Sequence, residues 1–97
     1  MIAYKGEIGR AISQTTGLDF TGATARQVKL RKPSGAVLTK IDSAVIVDDA
    51  PTGQIHILSI AGDLDQTGEY LMQAKVTIGS VILFGPVTSF DVEDVLV

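Results

Sequence analysis

The sequence predicts an all-β fold, and three of its features support that prediction. Apolar and polar residues alternate along residues 70–78, with Leu71 as the single apolar exception. A period of two over this length is typical of a strand with one face in the core and one in water. Turn-forming residues recur roughly every 8–12 residues, and no segment keeps the period of an amphipathic helix.

The first half of the chain is expected to contain short strands separated by turns. Residues 2–5 and 8–14 are extended candidates, and residues 26–32 alternate well, with Val28 and Leu30 facing inward. Pro33-Ser34-Gly35 ends that strand, since proline pre-sets φ and glycine accepts positive φ. Residues 36–47 are apolar and β-branched. They form either one long strand or two strands broken near Asp42-Ser43.

The second half adds a strand over residues 54–60, the strand 70–78 and a return strand. Gly79-Ser80 is a two-residue hairpin signal between the last two. Alternation along the return strand would place five residues on one face: Ile82, Phe84, Thr88, Phe90 and Val92. Gly85-Pro86 lies in its middle, which predicts a bulge or an edge position.

The polar loop 62–68 ends two residues short of Tyr70, which is the pattern of a tyrosine corner. In such a corner the ring enters the core and its hydroxyl bonds back to the loop backbone. Together with the count of about seven short strands, this predicts an immunoglobulin-like β-sandwich of about seven antiparallel strands. We expect one domain over residues 1–97, because a chain of this length supports a single core.

Composition narrows the range of functions. An apolar fraction of 45% with 20% charged residues is ordinary for a globular domain, and the net charge of −3 gives no reason to expect nucleic acid or an anionic membrane as a partner. The absence of cysteine excludes disulfides and thiolate chemistry. The longest apolar run, Val81–Phe84, is too short to cross a bilayer, and Ile2-Ala3 is too short for a secretion signal. We therefore expect a soluble protein that is made in the cytoplasm.

No catalytic constellation is visible. His56 is the only histidine, so a Ser-His-Asp site would have to use it, but its position in an apolar strand favours a structural role. Residues 63–68 imitate the first half of a calcium loop, yet the closing glutamate would fall at Ala74. We expect these loop oxygens to accept backbone N–H bonds instead. The sequence predicts no catalytic residue, metal or cofactor.

The chain has one concentration of basic residues. Lys29 and Arg31 share a strand face that could meet phosphate or an acidic protein, although a solvated face is expected without interleaved aromatic residues. There is no tryptophan for a flat sugar-binding platform. The five basic residues are Arg26, Lys29, Arg31, Lys32 and Lys40.

Several segments resemble a known family when they are taken in order. They are Tyr4–Gly9, Leu18–Thr24, Leu30–Gly35, Gly62–Ala74 and Phe90–Val92. This succession is similar to the small immunoglobulin-like proteins of tailed bacteriophages, including the N-terminal domain of the phage baseplate upper protein. The resemblance covers nearly the whole chain but consists of turns and core positions. Two departures are Leu38 and Ile41, where such domains often place a tryptophan, and the end at Val97 without a receptor-binding or trimerising region.

The resemblance implies a non-enzymatic structural component of the virion. It would be an adaptor or decoration protein of the tail, baseplate or head–neck, made in the bacterial cytoplasm. Its partners would be other phage virion proteins, with homo-oligomers in the particle and no nucleic acid, membrane, small-molecule substrate or cofactor. The candidate contact residues are a loop with Asp48, Asp49 and Pro51 and an apolar tail with Val95, Leu96 and Val97.

Two other functions remain open. The first alternative is a module that binds a cell-surface glycan or protein through the loop 48–53 during host adhesion. The second alternative is a hydrolase that uses His56 in a Ser-His-Asp site, and it is the least favoured of the three functions.

Overall fold

The computed structural model describes residues 1–96, which form two β-sheets and one short 3₁₀ helix, Asp42–Ala44. All regular structure other than this helix is β, so the all-β prediction is confirmed for the described part of the chain. The strands are β1 Ile2–Tyr4, β2 Ala11–Thr15, β3 Ala25–Arg31, β4 Val37–Ile41, β5 Ile46–Asp49, β6 Gln54–Leu58, β7 Gly68–Ile78, β8 Val81–Phe84 and β9 Thr88–Glu93.

The larger sheet is built around β7. Its strand order is β1-β9-β7-β3-β4, and β8 also pairs with β7. One side of β7 pairs with β3 over residues 71–77, and the other side pairs first with β9 and then with β8. All pairings are antiparallel except β1 with β9, which is parallel. The smaller sheet has the order β2-β6-β5 and is antiparallel throughout.

Both sheets contribute to one hydrophobic core. The alternation along β7 is confirmed, because Tyr70, Met72, Ala74 and Val76 are all buried. The Tyr70 ring stacks on Phe90 with 5.3 Å between ring centroids. The remaining core side chains come from both sheets and from the loops: Ala3, Ile12, Phe20, Val28, Leu30, Val45, Ile55, Ile57, Leu64 and Val92.

The described residues form nine strands, against the expected seven or so, because two of the predicted runs are divided. The run 36–47 is broken by the 3₁₀ helix, which selects the two-strand alternative at the position that the sequence indicated. The return strand is divided into β8 and β9. The predicted hairpin turn at Gly79-Ser80 is confirmed, since Ile78 pairs with Val81.

A one-residue register shift separates β8 from β9. Lys75 pairs with Phe84, whereas Met72 pairs with Thr88, so one extra residue lies on the return strand between the two pairs. The shift reverses which residues face the core. Ile82 and Phe84 therefore lie on the outside, 53% and 62% exposed, and the prediction that they lie on one face with Phe90 is wrong.

A buried side chain joins the two sheets at this bulge. Gln14 of β2 donates from Nε2 to the carbonyl oxygen of Pro86, at 2.9 Å, and to the hydroxyl of Thr88, at 3.1 Å. The bulge is thus attached to the smaller sheet by hydrogen bonds as well as by packing. Within residues 1–96 there is no helix of the length and apolarity needed to cross a membrane.

Candidate interaction surfaces

Of the predicted loop residues, Asp48 and Asp49 form the end of β5, and Pro51 lies in the turn that joins β5 to β6. The carboxylate of Asp48 is 2.8 Å from Nδ1 of His56, and Asp49 accepts a 2.8 Å hydrogen bond from the hydroxyl of Thr52. Pro51 is exposed. Both carboxylates therefore make local contacts, and Asp48 and Pro51 are the exposed parts of this candidate site.

The same loop is held rigidly against residues 16–20. The hydroxyl and the backbone N–H of Thr16 both donate to the carbonyl oxygen of Gly53, at 2.9 and 3.0 Å, and Phe20 N–H donates to Ala50. Gly53 has a φ of +73°, and a Cβ there would meet Thr16 and the backbone of Leu18. The loop is thus a fixed shape that is set by a glycine, and a partner would meet it preformed.

The apolar tail leaves the opposite end of the fold. β9 ends at Glu93, whose carbonyl accepts a 2.9 Å hydrogen bond from Lys5 N–H. Beyond it Val95 and Leu96 are 54% and 98% exposed, and Val97 lies outside the described residues. Strand β6 runs from the loop towards the tail end and spans about 16 Å. The predicted contact residues therefore form two separate places and not one site.

His56 and Asp48 lie on the exposed face of the smaller sheet with Ser13 of β2. Ser13 is directly opposite His56 in the β2–β6 ladder. No hydrogen bond joins Ser13 to His56 among residues 1–96, although such a contact is the first requirement for activating a nucleophile. The contact between His56 Nδ1 and Asp48 instead holds the Asp48 carboxylate beside the imidazole ring.

The corner loop before β7 is held by two lysines. Asp63 is buried and accepts hydrogen bonds from Ile60 N–H, at 3.0 Å, and from Lys40 Nζ, at 2.7 Å. Asp65 accepts from Lys32 Nζ at 2.6 Å, and this hydrogen bond lowers the pKa of the Asp65 carboxyl below its ordinary value. Within residues 1–96 no cluster of three potential metal ligands is found. The loop oxygens that resembled calcium ligands are occupied by cations of the chain itself.

Tyr70 completes the corner, as the sequence predicted. Its buried hydroxyl donates to the carbonyl of Asp63, at 3.2 Å, and accepts from Gln66 N–H, at 3.3 Å. The acceptor is therefore the backbone seven residues before the tyrosine, while the side chain of Asp65 is used by Lys32.

These contacts change the expected basic surface. Lys32 and Lys40 point into the corner loop, and Arg26 donates from Nε to the carbonyl of Val45, at 2.7 Å. Of the five basic residues, only Lys29 and Arg31 are exposed, and both lie on the outward face of β3. Sequence alternation could not separate these roles, because it does not show which lysine lies beside the corner loop.

Sequence reasoning missed the extent of the surface around Lys29 and Arg31, which is the side of the larger sheet turned away from the core. We call it the outer face. Strand pairing places Lys75 of β7 on this face diagonal to Lys29, with Arg31 two residues further along β3 and opposite Leu71; we call Lys29, Arg31 and Lys75 the basic end. Pairing also places Glu69 opposite Asp91, with Glu93 two residues further along β9, and we call these the acidic end.

Strand β8 is a second surface that sequence reasoning missed. All four of its residues, Val81–Phe84, are apolar and between 41% and 62% exposed. Among the described strands β8 pairs only with β7, so its other edge is free within residues 1–96. An exposed apolar edge strand is a ready site for pairing with another chain.

Comparisons of the chain with protein-family models, with curated proteins and with solved structures found no match. No function therefore comes from a relative. The loop, the tail, the outer face and β8 are the surfaces that can bind a partner.

Proposed function

We propose that this chain is a non-enzymatic structural component of a tailed-phage particle and acts by binding other virion proteins. The resemblance of its turn and core segments to small phage proteins supports the phage assignment. The observation that carries the binding role is β8, an uncharged strand of four exposed apolar residues with a free edge. Soluble monomers rarely leave such a patch open unless it has a partner.

We further propose an immunoglobulin-like sandwich as the topology. The order β2-β6-β5 in one sheet and β9-β7-β3-β4 in the other fits a variable-type arrangement, in which an extra strand extends the sheet that carries the corner tyrosine. Tyr70 lies near the start of its strand, where that fold places this residue. Such domains present their edges and loops to partners while the core stays closed.

Sheet extension is the binding mode that this geometry favours. A free edge offers unpaired backbone N–H and C=O groups, and an extended segment of a neighbouring protein can hydrogen-bond to them. The apolar side chains of Val81–Phe84 would add burial on both faces of the new strand pair. No enzymatic step is needed for this role.

The tail provides a test of assembly. Glu93 is part of β9 and its carbonyl accepts from Lys5 N–H, so the truncation should remove only residues 95–97. We expect the shortened protein to keep its melting temperature, because Val95 and Leu96 are largely exposed, and to be incorporated less into particles. A full-length Leu96→Ser variant controls for chain length. If the truncated protein and the Leu96→Ser variant are both incorporated into particles as well as the wild type is, the tail has no role in assembly.

Mass spectrometry of purified particles tests the function directly. The proposal expects the chain in infectious particles at a stoichiometry that follows the symmetry of a virion layer. Its absence from such particles, while it is abundant in the lysate, would refute the proposal.

The adhesion alternative has its own test. A glycan array that binds the protein through the loop 48–53, with binding lost in a Pro51→Ser variant, would favour an adhesion module. Hydrolysis of generic esters that is lost on His56→Ala would instead support an enzyme.

A further inference from the structure

The outer face of the larger sheet has its charges separated by sign. Lys29, Arg31 and Lys75 form the basic end, and no acidic residue is paired with them in the ladders that join β3, β4, β7 and β8. Glu69 and Asp91 begin the acidic end. The separation is largest between Glu69 and Lys75, which are six residues or about 20 Å apart on β7. It is smallest at Arg31, which is opposite Leu71 in the β3–β7 ladder and therefore diagonal to Glu69, about 7–8 Å away.

These charges have no ion-pair partner among residues 1–96. The four ion pairs there are Arg10 with Glu7, Lys32 with Asp65, Lys40 with Asp63, and His56 with Asp48. None involves a residue of the acidic end or the basic end. Glu69 and Asp91 are also directly opposite each other in the β7–β9 ladder, an arrangement of like charges that destabilises a sheet.

Apolar side chains lie among these charges. Leu71, the apolar exception in the alternation of β7, is half-buried on the outer face between the two ends. It borders a groove that Lys29, Arg31, Val37 and Val87 also line. Further exposed apolar residues on this face are Ile2 and Tyr4 beside the acidic end and Ile41, Ile82 and Phe84 beside the basic end.

We propose that the outer face binds the outer face of a second copy of this chain through a twofold axis near Leu71. A twofold axis in the plane of contact can place the basic end of each copy on the acidic end of the other. This supplies opposite charge to six residues that form no ion pair within residues 1–96 and relieves the repulsion between Glu69 and Asp91. The apolar residues around Leu71 then meet at the centre of the interface.

The size of the face predicts the strength of the association. Five strands about 4.8 Å apart, with a mean length of roughly 20–25 Å, offer about 500–600 Å² on each partner. That is slightly below the roughly 800 Å² per partner of a standard specific interface. We therefore expect a reversible dimer with a Kd in the range of about 1–100 µM that weakens with added salt.

Sedimentation of the purified chain tests the proposal without a virion, so its outcome is independent of the proposed function. The wild type is measured from about 10 µM to about 1 mM protein, at low and at high salt. An acidic variant carries Lys29→Glu and Arg31→Glu, and a basic variant carries Glu69→Lys and Asp91→Lys. All four residues are exposed, so both variants are expected to fold.

Each variant alone should sediment as a monomer, because like charges then face each other. An equimolar mixture should form a heterodimer, because every altered contact is again between opposite charges. A control variant with Asp19→Lys and Asp48→Lys has the same net charge as the basic variant but leaves the outer face unchanged, because both residues are exposed away from the larger sheet. Mixed with the acidic variant, it should not form a heterodimer.

Three results would overturn the proposal. They are a wild-type chain that remains monomeric at the highest concentration, a dimer that persists in both variants, and a mixture of the two variants that does not associate. Persistence of the dimer in both variants would point to another surface, such as the free edge of β8.

Discussion

Replacing Tyr70 with phenylalanine isolates the contribution of the tyrosine corner to stability. The ring would keep its stacking on Phe90, so the change opens no cavity. What is lost is a hydroxyl that donates to Asp63 and accepts from Gln66 N–H. The carbonyl of Asp63 would then be left without this donor inside the fold.

The expected cost follows from these two bonds. Each neutral hydrogen bond contributes about 0.5–1.5 kcal/mol net, and an unsatisfied buried group costs about 1–3 kcal/mol. The bonds are long, at 3.2 and 3.3 Å, so we expect a loss of about 2 kcal/mol in the free energy of unfolding. With an unfolding entropy near 0.2 kcal/mol/K for a chain of this size, the melting temperature should fall by about 10 °C.

Urea denaturation followed by circular dichroism measures this difference, and the slope m should stay unchanged because the same surface is exposed on unfolding. Tyr4→Phe is the matched control, since Tyr4 is 46% exposed and its hydroxyl bonds to no other described residue. A Tyr70→Phe midpoint that matches both the wild type and this control would refute the structural role of the hydroxyl.

Two further predictions concern the loops. Gly53→Ala should destabilise the domain by about 3 kcal/mol or more, because it combines strain at a φ of +73° with a clash against Thr16 and the Leu18 backbone. Gly35→Ala has comparable strain at +93° with open space around the new Cβ, so denaturation should show a cost of only about 1–2 kcal/mol, and equal costs would contradict the clash. The second prediction concerns acid. The lowered pKa of Asp65 means that its pairing with Lys32 adds stability above the ordinary value of 3.8, and this stability is lost as pH falls through the lowered pKa. The wild type should therefore be more stable than Asp65→Asn at pH 7, and the gap should close in strong acid; a gap that is independent of pH would argue against the pairing.

The sequence predicted correctly the features that depend on a single strand or a single loop. The alternation from Tyr70 to Val76 identified a core face, and the polar loop before Tyr70 identified the corner. The break near Asp42 was one of two open alternatives, and a short helix now accounts for it. These features depend on local periodicity and turn chemistry.

The features that the sequence did not predict depend on which strands are neighbours in the sheet. Gly85-Pro86 indicated a bulge, but only the register against β7 shows that one extra residue turns Phe84 outward. Lys29 and Arg31 were recognised as sharing a face, whereas their proximity to Lys75 requires the β3–β7 register. Of the predicted contact residues, Asp48 and Asp49 make local contacts, and their role with a partner stays a prediction.

The parallel pairing of Ile2–Tyr4 with Asp91–Glu93 also constrains the order of folding. During synthesis the larger sheet cannot be completed until residue 93 has left the ribosome, because β1, the first strand, pairs with β9, the last. Contacts between segments so distant in sequence are slow to form, because the entropy of closing the long loop is lost before any pairing compensates for it. Meanwhile the apolar segment 81–84 is available to neighbouring nascent chains, which makes the late stage of synthesis the period of greatest risk for misassembly.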